Sequence, residues 1–465
     1  MWGPVKSPPK LQVTPAGVVL LGYLALITVG TSVLVLPVSW SETGRAQDTG
    51  TVEALFTATS AVCVTGLIVR DTQFDLSPFG QCVILVLIQV GGLGYMTLAT
   101  AFALLLGRRR ISLRERLLVQ QSSGQLTLEG LGRFTVRVLK VTVLLEGMGA
   151  AALTAKFLYD GIGLPRAAAL GVFHAVSAFC NAGFSLFSTG LAGYARDPVV
   201  LLVVAALFVC GGIGFIVIVN VYAVKVRRSV RLLSLHTRLV LRTTLLLLAV
   251  GTIGILALEW SNGLGGLSWW EKGVVSFFQA ATPRTAGFSA ASVGAFTYGA
   301  QYLIILLMFI GAAPGGTGGG IKVTTFACLL HTIKSLVRKD KDVIMLNRRI
   351  SEETVSRTLA LVTVSMVILI IGVGALCISE RGALQQKGLI GVLFEEVSAF
   401  GTVGLSLGSF SQNSCSLARD FTSFGKVILV LTMVAGRVGP LTLGMAMAQM
   451  RPGLFRLPEG KFIVG

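Results

Sequence analysis

The sequence predicts an all-α integral membrane protein made of four repeats, each with two long helices and a short helix between them. Three observations lead to this fold class. The 465 residues are 53% hydrophobic and 13% charged, with a mean hydropathy of +0.80, whereas a water-facing fold of this length needs more charge. Long and short apolar runs alternate along the chain. A glycine motif follows each short run.

The apolar runs fall into two length classes. A bilayer core about 30 Å thick requires roughly 20 apolar residues in a helix. Eight runs reach this length, and we expect them to be transmembrane helices: near 16–39, 79–106, 134–158, 199–224, 239–258, 301–333, 358–378 and 425–450. Four shorter runs are too brief to cross, and we expect them to be re-entrant: near 51–63, 167–179, 272–281 and 388–399.

The glycine motifs place the four short runs in one register. They read CVTGL at 63–67, CNAGF at 180–184, RTAGF at 284–288 and GTVGL at 401–405, and they align without gaps on Gly66, Gly183, Gly287 and Gly404. Such self-similarity indicates an internal repeat. The predicted division is a tail at 1–15, repeats at 16–116, 117–231, 232–349 and 350–450, and a tail at 451–465.

Basic clusters set the predicted orientation. They follow the second long helix of each repeat, at 108–116, 225–231, 334–349 and 451–456. Because short cytoplasmic loops carry the Lys/Arg excess, we expect both termini to be cytoplasmic in a multi-pass cell-membrane protein. The net charge of +18 could also indicate nucleic acid, but clusters between apolar runs favour membrane orientation, and anionic lipid or another protein as their partner.

The short helices and the residues after them predict a cation pathway. A chain that turns back within the bilayer must lie in protein or line a water-filled cavity. The carbonyl end of each short helix favours a cation, and glycine lets backbone carbonyls approach an ion closely. The alternative interpretation is that the four motifs are ordinary sites where small residues let membrane helices pack closely. The candidate ion-filter residues are Val64, Thr65, Gly66, Asn181, Ala182, Gly183, Thr285, Ala286, Gly287, Thr402, Val403 and Gly404.

The second long helix of the third repeat is predicted to be broken. Its sequence GAAPGGTGGG cannot sustain a helix, because it contains glycines and a proline. Flexible backbone at this depth belongs in a cavity, here below the filter. The residues of this broken segment are Gly311, Ala312, Ala313, Pro314, Gly315, Gly316, Thr317, Gly318, Gly319 and Gly320.

Arg437 lies in VAGRVGP, at the matching position of the fourth repeat. A charge at that depth is costly and is therefore a functional candidate. We expect it to repel a passing cation and to bond the carbonyls of the broken segment, which would make it part of the gate. The alternative is a structural ion pair with a helix end.

These motifs resemble the superfamily of potassium transporters that includes Ktr, Trk and plant HKT proteins. The resemblance covers nearly the whole chain and is closest to the membrane subunit of the bacterial Ktr system. It rests on SAVCVTGL (60–67), VSAFCNAGFS (176–185), TPRTAGFS (282–289) and FEEVSAFGTVGLSLG (394–408). It implies one selectivity filter made of four joined repeats with pseudo-fourfold symmetry, each a helix, a pore loop and a second helix.

The same resemblance implies the function and the partners. Glycine at all four filter positions goes with permeation of the potassium ion in this family, whereas serine in the first loop goes with sodium preference in some plant members. The loop at 311–320 would obstruct the pore and move during gating, and Arg437 would be the pore arginine. A homodimer bound to a cytosolic nucleotide-binding ring of the KtrA type is also implied. Sodium dependence stays open, and no covalent cofactor is expected.

Several polar residues have two interpretations from sequence alone. Glu146 could be a coupling-ion ligand or could pair with Lys140 or a helix neighbour. Glu395 and Glu396 could stabilise a helix N-terminus or hold the filter in place. Asp71 could enrich cations at the mouth or be a solvated loop charge.

Other classes of function have less support. The histidines, among them His174, lack metal-ligand spacing, and no nucleotide-binding or hydrolytic motif occurs. An enzyme would need clustered acid, base or metal groups at membrane depth. A carrier with alternating access at the broken helix remains the main competitor, although inverted repeats would be expected for it.

Overall fold

The computed structural model of the chain describes residues 15–45, 50–94, 131–227, 233–412 and 414–440. The predicted basic clusters at 108–116 and 451–456, and both predicted tails apart from Pro15, lie outside these residues. The same holds for the C-terminal parts of the predicted helices at 79–106 and 425–450.

Fifteen α-helices occur in the described residues. They are α1 Pro15–Leu34, α2 Glu42–Arg45, α3 Thr51–Val62, α4 Pro78–Leu93, α5 Leu131–Tyr159, α6 Leu164–Phe179, α7 Pro198–Ile213, α8 Phe215–Arg227, α9 Leu235–Glu259, α10 Trp269–Ala281, α11 Tyr298–Phe309, α12 Val323–Arg338, α13 Glu352–Ser379, α14 Arg381–Gly401 and α15 Ser423–Val438. Strands β1 (Ile344–Met345) and β2 (Arg348–Arg349) form a small antiparallel hairpin after α12.

Several helices have the length and apolarity that a membrane span requires. Within the described residues four qualify, at Gly17–Leu34, Phe134–Tyr159, Leu235–Glu259 and Glu352–Ser379, and a fifth if α7 and α8 form one bent span. Only 22–33% of each of these four apolar windows is buried in the protein, as expected for helices that contact lipid. The protein is therefore a mostly helical membrane protein, while the count of eight transmembrane helices stays a prediction.

The second long helix of the second repeat is not continuous, contrary to the prediction for 199–224. It breaks at Gly214, where φ is +95°, and α7 and α8 meet at a bend of 97°. The corresponding helices α4 and α15 end at Gly94 (φ +77°) and Gly439 (φ +92°). Left-handed backbone is open mainly to glycine and cannot continue a right-handed helix. The break predicted for one repeat thus recurs in others.

The starts of these second helices share a local cause. Each begins directly after a residue whose side chain accepts a hydrogen bond from a first-turn N–H: Ser77, Asp197, Thr297 and Thr422. Such N-caps satisfy donors that a helix leaves unpaired. They fix where each helix begins.

The helices pack in cyclic order. The short helices α3, α6 and α10 and the second half of α14 each pack against the long helix that precedes them, which is α1, α5, α9 or α13. The second helix of each repeat packs on the short helix of the next: α4 on α6, α7 on α10, α11 on α14 and α15 on α3. The last contact closes the circle, so the four short helices surround one axis.

Close backbone contact holds the second helices against the short helices in three repeats. A Cβ built on Gly91, Gly211 or Gly436 would lie 2.0, 1.9 or 1.9 Å from a carbonyl oxygen near the end of the short helix of the same repeat, at Val62, Phe179 or Phe400. No side chain fits at such distances. Glycine in these helices therefore lets two backbones touch.

Replacing Gly211 with alanine is expected to destabilise the protein by about 1–3 kcal/mol, the usual effect of overpacking a close contact. Thermal unfolding in detergent measures this. The control is Gly147→Ala in α5, where a Cβ meets nothing within 4 Å and alanine is the better helix former. Equal melting temperatures for the two variants would contradict the close contact.

Candidate functional site

The four motif glycines lie side by side around the axis. Each glycine contacts the glycine segment of the next repeat, and the last contacts the first; the glycine segments are residues 64–66, 181–183, 285–287 and 402–404. The distances from a built Cβ to the next segment are 2.4 Å for Gly66 to Ala182 O, 2.9 Å for Gly183 to Gly287 Cα, 2.3 Å for Gly287 to Val403 O and 2.2 Å for Gly404 to Thr65 O. The ring is closed, and a side chain at any of the four positions would collide with it.

All four glycine segments share one backbone conformation. The first and third residues have positive φ: Val64 (+56°), Asn181 (+60°), Thr285 (+74°) and Thr402 (+49°), followed by Gly66, Gly183, Gly287 and Gly404. Left-handed backbone is rare for β-branched residues, and such strain gathers at functional sites. Since the middle residue of each segment has negative φ, the sign of φ alternates in the same order in all four segments.

A hydroxyl residue at the end of each short helix braces the segment that follows. Three of these hydroxyls donate to the carbonyl after the glycine, and Ser398 accepts from Gly404 N at 3.1 Å. The donors are Ser60 to Leu67 O (2.8 Å), Ser177 to Phe184 O (2.7 Å) and Thr282 to Phe288 O (2.6 Å). These hydroxyl residues were not predicted from the sequence, although a serine recurs six positions before the glycine in three motifs.

A cavity of about 580 Å³ opens on one side of the glycine ring. All four glycines line it, together with many serines that follow them in the chain, among them Ser185, Ser289 and Ser406. Lys387 also lines it and donates to Leu407 O at 3.3 Å. Asp71 does not: it is 2% exposed and accepts from Gln73 N at 2.8 Å. Asp71 therefore closes a turn, which neither interpretation of the sequence had predicted.

The segment 311–320 is non-helical, as the sequence predicts, and lies on the other side of the ring. Its backbone is anchored to α7, since Ala313 N donates to Gly212 O (2.9 Å) and Thr317 N to Gly211 O (3.3 Å). Ala312, Ala313 and Thr317 are buried. The loop thus fills the space that the breaks in the second helices leave open.

The loop touches the first residue of three glycine segments. Thr317 Oγ1 donates to Asn181 Oδ1 (3.1 Å), and Gly319 N donates to Thr402 Oγ1 (3.0 Å). A Cβ on Gly318 would lie 1.9 Å from Thr285 Oγ1. Because these contacts are made two residues before the ring glycines, the loop lies on the side of the ring opposite the cavity.

Arg437 joins this loop to the first repeat. Its guanidinium donates to Thr317 O and Gly91 O in two short hydrogen bonds, and to Gly92 O at 3.3 Å. No ion pair of Arg437 occurs in the described residues, so its partners are backbone carbonyls. A second cation, Lys322, donates to Gly318 O at 2.7 Å. No role for Lys322 was predicted from the sequence, although it lies only two positions after the glycine run.

Two further acidic candidates, Glu146 and Glu396, form hydrogen bonds with uncharged side chains. Glu146 accepts from Gln89 Nε2 (3.2 Å) and Cys180 Sγ (3.8 Å), and no ion pair with Lys140 is present in the described part of the chain. Glu396 accepts from the Thr432 hydroxyl at 2.9 Å. No group of three or more His, Cys, Asp or Glu side chains that could hold a metal ion occurs in the described residues.

Glu395 is not at a helix N-terminus. Gly388 (φ +65°) divides α14, and Glu395 lies well inside its second half, 0% exposed. Its carboxylate accepts from the Ser406 hydroxyl at 2.7 Å and from Ala418 N at 2.9 Å. Of the two interpretations of Glu395, the geometry favours the one in which it holds the residues after the ring.

Membrane-length helices around a closed ring of backbone, with a buried loop below it, define a membrane protein of the transport class. The family profile of TrkH, described as a cation transport protein, matches residues 26–453. The chain belongs to this family, which confirms the resemblance read from the motifs.

Individual relatives agree with this assignment. The chain is 38% identical to the Ktr system potassium uptake protein B of Bacillus subtilis over 98% of both chains. It is 32% identical to the potassium/sodium uptake protein NtpJ of Enterococcus hirae over 99% of both. The crystal structure of the potassium transporter TrkH from Vibrio parahaemolyticus has the same fold, with a TM-score of 0.71 and 17% identity over 95% of this chain and 87% of that one. The names of these relatives are those of transport proteins, not enzymes.

Proposed function

We propose that the chain takes up potassium across the cell membrane through a filter formed by the glycine segments. The closed ring of the four glycines carries this proposal. Carbonyls around a narrow axis can replace the water shell of a dehydrated cation. The proposed ligands are carbonyl oxygens of residues 64–66, 181–183, 285–287 and 402–404.

The cyclic packing of the helices supports the pseudo-fourfold arrangement of helix, pore loop and helix. Each second helix packs on the short helix of the next repeat in the same direction around the axis. Eight transmembrane helices and four re-entrant pore helices then form one pore per chain. A carrier built from inverted repeats would not give this order.

The loop at 311–320 is the proposed gate. It bonds Asn181 and Thr402 from below, so a cation leaving the ring meets the loop. Arg437 holds the loop at Thr317 and adds a positive charge to the path. Opening then requires breaking hydrogen bonds to a charged group, which are worth about 1.5–3 kcal/mol each.

The ion and the partners are inferred from relatives. Two full-length relatives are named for potassium uptake, one of them also for sodium, which supports potassium as the transported ion with sodium as co-transported or activating ion. The likeness to a Ktr system protein supports a homodimer on a cytosolic nucleotide-binding ring of the KtrA type. Cytoplasmic termini and contact of the basic loops with anionic lipid complete this arrangement.

Uptake of rubidium into proteoliposomes that contain the full-length chain tests the proposal. Rubidium is a close potassium analogue, and an outward potassium gradient supplies the driving force. We expect accumulation that external potassium inhibits and choline does not, and growth rescue of a bacterium deficient in potassium uptake. Absence of both, with and without the cytosolic subunit, would refute the function.

A further inference from the structure

A serine lies two positions after three of the ring glycines, and each of these serines forms a hydrogen bond with a side chain of the preceding short helix. Ser185, Ser289 and Ser406 line the outer cavity, and each contacts a buried polar side chain of its own repeat. These side chains are His174, Gln279 and Glu395, which are 1%, 0% and 0% exposed. We call the three contacts the serine braces.

The three braces use different chemical groups for the same contact. His174 Nδ1–H donates to Leu170 O (2.8 Å), so Nε2 of the neutral ring accepts from the Ser185 hydroxyl (3.0 Å). In the fourth repeat the Glu395 carboxylate accepts from Ser406 (2.7 Å).

In the third repeat an amide takes this place. Gln279 Nε2 donates to Ser289 Oγ (3.3 Å) and Ala291 O (3.4 Å), and Gln279 Oε1 accepts from Ala290 N (3.3 Å). Each brace therefore links a side chain of a short helix to the serine two positions beyond the ring glycine.

The first repeat lacks a serine brace. Ile68 occupies the serine position, and Thr57, nine residues before Gly66, has a buried hydroxyl without a partner in the described residues. The backbone of Ile68 is held instead by Ser416 of the fourth repeat, through two hydrogen bonds of 2.9 Å. The residue two positions beyond the ring glycine is thus held by the short helix of its own repeat in three repeats, and by the fourth repeat in the first.

We propose that His174, Gln279 and Glu395 are positioning residues that set the preference of the ring among monovalent cations. This rests on the proposed potassium filter. Carbonyl ligands discriminate between ions through the size of the ring and the stiffness of its oxygens. Buried hydrogen bonds to the residue two positions beyond three of the four glycines limit how far those segments can move inward around a smaller ion such as sodium.

The Gln279–Ser289 brace gives the cleanest test, because each partner can be truncated separately. Gln279→Leu, Ser289→Ala and the double variant are compared with wild type for rubidium uptake in competition with sodium. We expect Ser289→Ala to reduce the rubidium-over-sodium preference about fivefold, in the range of a lost hydrogen bond. Gln279→Leu should reduce it at least as much, because it also removes the hydrogen bonds to Ala291 O and from Ala290 N. In free energy the double variant should lose less than the sum of the two single effects, since both changes remove the contact that the two side chains share.

Two controls separate positioning from folding. Thr57→Val removes the unpartnered hydroxyl at the matching position of the first repeat and should leave the preference unchanged. His174→Gln supplies the amide of the third repeat and should keep the preference, whereas His174→Leu should lower it.

The outcomes separate this inference from the proposed function. Suppose that the wild type transports rubidium. An unchanged preference in Ser289→Ala, or additive effects in the double variant, would then contradict only the proposed role of the serine braces. Wild type without rubidium uptake would overturn the filter itself. Ser289→Ala leaves the buried helix unchanged, so it answers the question even if Gln279→Leu fails to fold.

Discussion

Replacing Gly404 with alanine is expected to lower rubidium uptake about tenfold or more. A Cβ at this position would lie 2.2 Å from Thr65 O and 2.9 Å from Gly66 Cα, and φ of +91° is strained for alanine. Thr65 must then move, which removes its carbonyl from the ring. Overpacking of this kind costs about 1–3 kcal/mol, and the ring has no spare room to absorb it. Initial rates in proteoliposomes measure the effect.

The matched control for this variant is Gly273→Ala in the short helix α10. A Cβ there meets nothing within 4 Å, and alanine favours the helix. Its uptake rate should equal that of wild type.

Gly66→Ser, which would crowd Ala182 O at 2.4 Å, should in addition shift ion preference toward sodium. Normal rates and preference in both ring variants would exclude these glycines from the pathway.

Replacing Arg437 with alanine should raise rubidium uptake in the absence of a cytosolic subunit by about tenfold. The change removes a positive charge from the path and frees Thr317 O, Gly91 O and Gly92 O. Losing one charge-assisted hydrogen bond of about 1.5–3 kcal/mol would favour the open loop by at least that factor. Basal uptake rates, normalised to protein in the membrane, provide the measurement.

Arg437→Lys separates the charge from the hydrogen bonds. Lysine keeps the positive charge but lacks the planar fork that bonds three carbonyls at once, so we expect an intermediate rate. Arg357→Ala, at an exposed surface ion pair with Glu353, should change nothing. An Arg437→Ala variant no faster than wild type would remove this residue from the gate.

The sequence alone predicted the ring residues because their signal repeats. One glycine after a short apolar run is weak, but Gly66, Gly183, Gly287 and Gly404 align without gaps, and the structure brings all four together. The break at 311–320 was equally visible, since Pro314 and clustered glycines exceed what a helix tolerates. Both features are local and need no knowledge of packing.

Other features depend on packing and were not predictable. The apolar run around Gly214 contains three glycines, Gly211, Gly212 and Gly214. Each costs a helix only about 1 kcal/mol, and without a proline they did not distinguish a bend from a straight helix. The partner of His174 is 11 residues away in sequence, and only the turn at the ring brings Ser185 beside it. Glu395 was ambiguous because the kink at Gly388 decides which residues form the first turn.

The loop at 311–320 and Arg437 each occur in one quarter of the ring. Four identical subunits around an axis would carry four copies of every feature, and four guanidinium groups at this depth would repel one another. Four copies of the ten-residue loop would also overlap in the space next to the ring that one copy fills. Gene duplication within one polypeptide removes that constraint, because each quarter can diverge independently. In such a chain a point mutation alters one side of the ring only. Its effect is therefore measured without three further copies of the same substitution around the axis.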